Sequence, residues 1–271
     1  MLKQRILTAL ILAVVFVGCI LFTETRWVGL LFSIVLFAAT RELLALTLRL
    51  SLPVTLLLSA VFALLFWWSL SIANPVLVQW QALAGLVLWL LIAVGLVFYR
   101  HHGNWPLLAR VLMLGLGLDL LWICVHCLVY LHYVYGGWTL LFMFTLVWVV
   151  DIGAYFCGRR FGKHKLAPVI SPGKTWEGVF GGLAATLAWM LLVYALVDGL
   201  QPGLAAYLAI GLATVSVSIV GDLFESVLKR EAGVKDSGAL LPGHGGVLDR
   251  IDSVIAAAPV FVTGLMLAGS A

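Results

Sequence analysis

Hydrophobic residues occur along this chain in runs long enough to cross a membrane. Apolar stretches of about 17 to 25 residues are typical of transmembrane helices, and about nine such stretches alternate with short polar segments. They cover residues 6–22, 27–40, 53–72, 80–99, 111–131, 138–157, 178–197, 204–222 and 251–269. The pattern predicts an all-α, polytopic transmembrane protein whose first run is an uncleaved span rather than a signal peptide.

The composition and the distribution of charge agree with this pattern. Hydrophobic residues make up 63% of the chain and charged residues only 10%, which excludes an ordinary water-exposed surface. Basic residues accumulate on the cytoplasmic side of membrane proteins. With nine spans and a cytoplasmic N-terminus, all 16 Lys and Arg residues except Arg26 lie on that side. The net charge of +4 therefore reflects topology, and no basic tail indicates a nucleic acid partner.

The chain divides into two parts of different character. Residues 1–135 contain apolar spans that we expect to serve helix packing and to be candidates for dimerisation. Residues 136–271 are predicted to form a catalytic transmembrane domain with cytoplasmic loops at 158–177 and 223–250. In the first part, Glu42 either reaches the cytoplasmic site or pairs with Arg41, and we favour the pairing.

Two ionisable side chains fall inside the fifth predicted span. Asp119 and His126 are seven residues apart and are expected on one helical face. An ionisable residue within a span is a functional candidate. We favour a structural polar contact or a dimer contact, with a proton path as the alternative. The nearby Cys124 and Cys127 are interpreted as packing residues rather than metal ligands.

Charge is concentrated in residues 222–252, which hold ten of the chain's 28 charged residues (16 Lys and Arg, 12 Asp and Glu). Four side chains at its start share one helical face: Asp222, Glu225, Ser226 and Lys229. At its end, Asp249 and Asp252 are spaced i and i+3. The glycine turn between them contains His244 and can bring backbone N–H groups close to an anion. Carboxylates, bases and a glycine turn together indicate metal-assisted phosphate chemistry.

A second polar segment follows the sixth span. Asp151 lies near the inner end of that span, where a lone carboxylate needs a cation or a basic partner. The loop that follows carries the basic residues Arg159, Arg160, Lys163, Lys165 and Lys174. Ser171–Thr175 is predicted to be a phosphate-binding turn before a helix N-terminus, although it lacks the first glycine of a Walker A loop. The alternative role of these basic residues is orientation in the membrane and contact with anionic headgroups.

The C-terminal half closely resembles the phosphatidate cytidylyltransferase family, also called CDP-diacylglycerol synthases. The first matching positions are Asp151, Tyr155, Gly158, Arg159, Gly162, Lys163, Ser171, Pro172, Lys174, Thr175 and Glu177. The second set is Ser226, Lys229, Arg230, Lys235, Asp236, Gly238, Pro242, His244, Gly245, Gly246, Asp249, Arg250 and Asp252. The N-terminal spans resemble the family only in hydropathy and length.

The resemblance implies that CMP is transferred from CTP to phosphatidic acid, giving CDP-diacylglycerol and pyrophosphate for phospholipid biosynthesis. It implies a homodimer in the bacterial inner membrane that uses Mg²⁺ and a second, monovalent cation such as K⁺. The expected catalytic residues are Asp222, Lys229, His244, Asp249 and Asp252. The expected substrate-binding residues are Ser171, Lys174, Glu177, Ser226, Arg230, Lys235, Asp236 and Arg250. The expected metal ligands are Asp151, Asp222 and Asp249.

Three other functions remain open at this point. A CTP-dependent lipid kinase would use similar groups but would transfer the γ-phosphoryl group. A transporter would need ionisable groups near the middle of the bilayer, where only Asp119 and His126 qualify. An assembly factor without catalytic activity would leave the charged residues unexplained.

Overall fold

The computed structural model describes residues 13–100, 103, 105–197, 203–240 and 245–269. Seven helices in these residues are long and apolar enough to cross a membrane, and one shorter apolar helix precedes them. The helices are α1 (Ala13–Phe22), α2 (Thr25–Leu48), α3 (Leu52–Ile72), α4 (Pro75–Phe98), α5 (Leu107–Phe161), α6 (Trp176–Leu196), α7 (Leu204–Ala232) and α8 (Leu248–Leu267). The predicted all-α, polytopic membrane fold is confirmed.

Helix α5 is 55 residues long and combines two of the predicted spans. Its helical geometry is interrupted at Gly136, where φ is 81° and ψ is 171°. This positive φ favours glycine, because a Cβ would clash with the backbone. The next residue, Gly137, lies directly against the carbonyl oxygen of Ile20, which leaves no room for a side chain. The chain therefore kinks between residues 111–131 and 138–157.

The kink coincides with the predicted boundary between residues 135 and 136, yet the two parts share one hydrophobic core. That core contains Leu43 of α2 and Val262 of α8. A polar contact also joins the parts, because the hydroxyl of Tyr99 after α4 donates a hydrogen bond to Glu231 of α7. Burial, together with this hydrogen bond, raises the pKa of Tyr99. The division into a packing part and a catalytic part stays a prediction.

Small residues bring α5 and α6 into close contact. A Cβ at Gly182 would lie 2.7 Å from the carbonyl oxygen of Val150, and a Cβ at Gly153 would lie 2.7 Å from the Cβ of Ala185. Such small-residue faces let membrane helices approach closely. This packing holds the end of α5 that carries Asp151 beside the beginning of α6.

A short hairpin connects α5 to α6. Strand β1 (Lys165–Ala167) pairs with strand β2 (Ser171–Thr175) in an antiparallel arrangement. The predicted turn at Ser171–Thr175 is thus an extended strand, because its backbone pairs across the hairpin. Thr175 then caps α6, since its hydroxyl accepts a hydrogen bond from the N–H of Gly178 at 3.2 Å.

The two ionisable residues of the fifth predicted span lie in different environments. His126 is 3% exposed, and its Nε2 atom lies 3.0 Å from the hydroxyl of Ser69 on α3. This is a structural polar contact of the kind expected for His126, and the choice between a structural role and a proton path stays a prediction. Asp119 is exposed on the surface of the chain. The two side chains share a helical face, as predicted, but α3 covers only His126.

Candidate active site

Helix α7 provides the central row of polar side chains at the end that is predicted to be cytoplasmic. The helix continues to Ala232, so the polar residues between positions 222 and 229 all lie on one helix. Its row consists of Asp222, Glu225, Ser226 and Lys229. Lys229 and Arg230 lie in the last turn of α7, where positive charge interacts favourably with the helix dipole.

Asp222 is bound by a lysine from the hairpin. The ammonium of Lys174 on β2 lies 2.6 Å from Oδ2 of Asp222, and these side chains are 23% and 31% exposed. The hydroxyl of Ser226 lies 3.4 Å from the other oxygen. The predicted phosphate-binding segment therefore reaches the carboxylates of α7, although the local backbone differs from the prediction.

Two further carboxylates lie near Asp222. Asp151, from the end of α5, interacts electrostatically with both Asp222 and Lys174. Asp252, from α8, interacts electrostatically with Asp222, Lys174 and Lys229. Carboxylates from three helices thus converge on one region. Because like charges repel, this group needs the cations that accompany it.

Lys229 joins α7 to α8. Its ammonium pairs with Glu225 one turn earlier and lies 2.8 Å from Oδ1 of Asp249. The side chain of Glu225 is 4% exposed and that of Asp249 is 9% exposed. A buried charge is tolerated only when it is paired and hydrogen-bonded. Lys229 therefore places its single positive charge between two carboxylates that would otherwise repel each other.

Asp249 also organises the polar loop before α8. The N–H of Ser237 lies 3.2 Å and 3.0 Å from its two oxygens, and the N–H of Gly246 lies 2.8 Å from Oδ2. The neighbouring Gly245 has a φ of 82°, which favours glycine. The glycine turn thus directs the N–H of Gly246 at a carboxylate of the protein itself.

Glu42 of α2 reaches the same loop, so its predicted pairing with Arg41 is wrong. Its Oε2 atom accepts hydrogen bonds from the hydroxyl of Ser237 at 3.1 Å and from the N–H of Leu248 at 2.8 Å. These donors become available because α2 packs against α7 and α8. The first part of the chain therefore contributes a side chain to the polar region.

Two other predicted binding residues, Glu177 and Arg230, make their contacts away from the carboxylate cluster. Glu177 accepts hydrogen bonds from the N–H groups of Lys163 and His164 at 3.1 and 3.2 Å, and its Oε1 lies 2.6 Å from Nδ1 of His164. The Nε of Arg230 donates to the carbonyl of Ile170 at 3.1 Å. Glu177 therefore fastens the end of α5 to the start of α6, and Arg230 fastens the hairpin to α7.

The remaining predicted site residues lie at the edge of this region. Ser171 pairs with Ala167 across the hairpin, and Lys235, Asp236 and Arg250 are exposed. His244 lies outside the described residues. The roles assigned to all these residues stay predictions.

Three residues of the arrangement were absent from the predicted set. Glu225 could have been included, because its spacing from Asp222 and Lys229 already places it on their helical face. Glu42 and Ser237 are far apart in sequence, and no local pattern indicates that one accepts a hydrogen bond from the other. Only the packing of α2 brings them together.

The donor atoms fit a hard divalent cation, but the carboxylates are arranged around lysines. Mg²⁺ prefers oxygen ligands such as Asp carboxylates, and Asp151, Asp222 and Asp252 supply them from neighbouring helices. Within the described ranges, no group of three Asp, Glu, His or Cys residues is already spaced as a metal site. Lys174 would have to move from Asp222 for that carboxylate to bind a cation.

Known proteins resemble the chain along its whole length. The profile described as "Cytidylyltransferase family" matches residues 3–268. A phosphatidate cytidylyltransferase from Pseudomonas aeruginosa is 42% identical over 99% of this chain and 98% of its own. The enzyme of that name from Haemophilus influenzae is 52% identical over 49% of this chain and 47% of its own length. The one from Brucella suis is 53% identical over 46% of this chain and 45% of its own length, so each of these two matches covers about half of the relative. The chain, whose charged helix ends meet at one site, belongs to the cytidylyltransferase family.

Proposed function

We propose that the protein transfers CMP from CTP to phosphatidic acid, which yields CDP-diacylglycerol and pyrophosphate for phospholipid biosynthesis. The observation that carries this proposal is the 42% identity, over 99% of the chain, to a phosphatidate cytidylyltransferase. The arrangement of charge supports it independently, because the chain places carboxylates and ammonium groups together at the ends of membrane-spanning helices.

The reaction needs charge neutralisation more than it needs a strong base. A phosphomonoester has a second pKa of about 6, so phosphatidic acid is largely a dianion at neutral pH and is already nucleophilic. Its phosphate oxygen must approach the α-phosphorus of CTP, which carries several negative charges of its own. In-line displacement then expels pyrophosphate, and catalysis rests on positioning and on electrostatic stabilisation.

Lys174 and Lys229 supply positive charge on both sides of the cluster. Carboxylates hold each ammonium in the structure: Asp222 binds Lys174, and Glu225 and Asp249 bind Lys229. We propose that phosphate oxygens replace part of these contacts when substrates bind. The ammonium groups then donate hydrogen bonds to the transferring phosphoryl group, and Ser226 contributes a hydroxyl donor.

The carboxylate that Lys174 releases, Asp222, would be one ligand of a divalent cation. Asp151 and Asp249 are the further predicted ligands, and Asp252 lies beside them. Together with Asp222 they would hold Mg²⁺, which when bound would offset the repulsion between the two substrates. A second, monovalent cation such as K⁺ belongs to the same proposal. Asp249 has a separate task, because it keeps Lys229 and the loop N–H groups in place.

The position of the site suits one substrate from each phase. The cluster lies in the last three turns of α5 and α7 and in the first two turns of α8. Almost all basic residues lie on the side predicted to be cytoplasmic. We propose that the protein acts in the bacterial inner membrane, that CTP enters from the cytoplasm, and that phosphatidic acid enters laterally between helices. The bacterial origin of the relatives supports this location.

We also propose that the protein works as a homodimer. Asp119 lies exposed in the middle of the first half of α5, and a carboxylate that faces hydrocarbon is costly. A second copy that covers this face would remove that cost. Gly115, one turn earlier, has open space beside its Cα. Gly115→Cys should therefore form an intermolecular disulfide in membranes, whereas a purely monomeric protein would not.

The function is tested with purified protein, phosphatidic acid and CTP labelled in either the cytidine or the γ-phosphate. We expect cytidine label in the lipid, and pyrophosphate release that requires both Mg²⁺ and phosphatidic acid. Transfer of the γ-phosphate label would identify a lipid kinase instead. Absence of label in the lipid with both substrates would refute the proposal.

A further inference from the structure

A buried acidic side chain of α2 has no role in the reaction described so far. Glu42 is 1% exposed, and its Oε2 accepts the hydrogen bonds from Ser237 and Leu248. Burying a carboxylate is unfavourable unless hydrogen bonds compensate for the lost water. A helix that served only as an anchor in lipid would have no need of a charge at this position.

One of these contacts lies at the start of α8. Leu248 is the first residue of α8, and in the described part of the chain the preceding residue, Val247, makes no side-chain capping hydrogen bond. The first N–H groups of a helix lack partners within the helix and interact favourably with negative charge. Glu42 therefore caps α8 from another helix, immediately before Asp249.

The other contact connects Glu42 to Asp249 through a single residue. The hydroxyl of Ser237 donates to Glu42 at 3.1 Å, while its N–H lies 3.2 Å and 3.0 Å from the two oxygens of Asp249. The N–H of Asp249 in turn donates to the hydroxyl of Ser237 at 3.3 Å. Ser237 thus fixes the two carboxylates relative to each other.

The surrounding backbone is shaped to this carboxylate. A Cβ at Gly238 would collide with Oε1 of Glu42, and a Cβ at Gly246 would collide with Oε2. Glycine at both positions allows the loop to approach the side chain from two sides. Because Gly238 and Gly246 both lie against the carboxylate, we expect a substitution of Glu42 to change the backbone at both positions.

We propose that Glu42 is a positioning residue for CMP transfer. By capping α8 and holding Ser237, it sets the orientation of Asp249 and, through Asp249, of Lys229. The first part of the chain is therefore a component of the active site as well as a membrane anchor. The catalytic consequence rests on the proposed function, whereas the effect on the loop does not.

Activity is the first measurement. Residues that orient metal ligands or catalytic groups typically change metal affinity or activity by about 10- to 100-fold when they are replaced. We expect Glu42→Ala to lower kcat and to raise the Mg²⁺ concentration for half-maximal rate within that range, with little change in KM for phosphatidic acid. Glu42→Gln should retain more activity, because its amide oxygen can still accept from Leu248. Glu24→Gln, at the exposed start of the same helix, is the matched control and should behave as the native protein.

Hydrogen exchange is the second measurement and does not depend on activity. The N–H groups of Gly246 and Leu248 should exchange faster in Glu42→Ala than in native protein or in Glu24→Gln. Ser237→Ala removes only the hydroxyl that joins Glu42 to Asp249, so it should increase the exchange rates of the same N–H groups by a smaller amount. If Glu42→Ala does not fold, Ser237→Ala is the variant that tests the proposal. Unchanged exchange, with kcat within twofold of native in a folded variant, overturns the proposal. Faster exchange in Glu42→Ala, combined with a native protein that makes no CDP-diacylglycerol, would support the contact and refute the proposed function.

Discussion

Helices α3 and α4 differ from α7 and α8 in both charge and enclosure. The first pair contains no Asp, Glu, Lys or Arg, whereas α7 and α8 carry the carboxylates and lysines of the site. Of an 18-residue apolar stretch in each helix, 17% is buried in α3 and in α4, 39% in α7 and 67% in α8. Among these four helices, charge occurs where neighbouring helices supply partners for it, so enclosure in protein is what permits chemistry at this site.

The largest effect is expected from the centre of the enclosed region. Asp222→Asn removes a negative charge while it keeps the shape of the side chain. Loss of a preorganised electrostatic group typically lowers kcat by about 100- to 1,000-fold. Formation of CDP-diacylglycerol by purified, membrane-inserted variants measures this, with Glu24→Gln as control. Full activity of Asp222→Asn would refute its assigned role.

A second prediction is that replacing the more buried lysine, Lys229, lowers the free energy of unfolding more than replacing Lys174. Lys229→Met leaves Glu225 and Asp249 without their shared cation, and breaking a buried ion pair costs about 3–5 kcal/mol in the free energy of unfolding. Lys174→Met should cost about 1 kcal/mol or less, because the Lys174–Asp222 pair is 23% and 31% exposed. Denaturation of both variants in detergent measures the difference. An equal or larger loss in Lys174→Met would contradict the inferred environments.

The next prediction concerns helix packing. Gly182→Val places a side chain against the backbone of Val150, which would force α5 and α6 apart and cost about 1–3 kcal/mol in the free energy of unfolding. The matched control is Gly95→Val in α4, where nothing lies within 4 Å of the added Cβ. Thermal unfolding of both proteins compares them. Equal unfolding temperatures would show that the α5–α6 contact is looser than described.

The smallest effect is expected in the lipid-facing helices. Leu64 of α3 is 67% exposed, and substitutions at such positions usually change stability by about 0.5 kcal/mol or less. Leu64→Ala should therefore keep both activity and stability. The same change at Leu36 of α2, which is 0% exposed, should cost about 2–5 kcal/mol. A large loss of activity in Leu64→Ala would mean that α3 contributes to the site or to an interface that it needs.

Much of this arrangement follows from local patterns in the sequence. Hydrophobic run length predicts the spans, and helical spacing predicts that Asp222 and Lys229 share a face. The hairpin was missed because Pro172 and Gly173 are typical of turns, yet their segment pairs with Lys165–Ala167. The individual contacts between distant parts of the chain could not be predicted, since no spacing rule connects Glu42 to the loop before α8. That Glu42 reaches the cytoplasmic site was the alternative that the sequence analysis did not favour.

In the proposed mechanism, carboxylates from α5, α7 and α8 hold the divalent cation needed for CMP transfer. The decisive experiment is a titration of Mn²⁺ with purified protein and CTP, followed by electron paramagnetic resonance, with CTP alone as the blank because the triphosphate also chelates the ion. We expect binding beyond the blank in native protein and in Glu24→Gln, and its loss in Asp222→Asn. Equal binding by native protein and Asp222→Asn would contradict this mechanism.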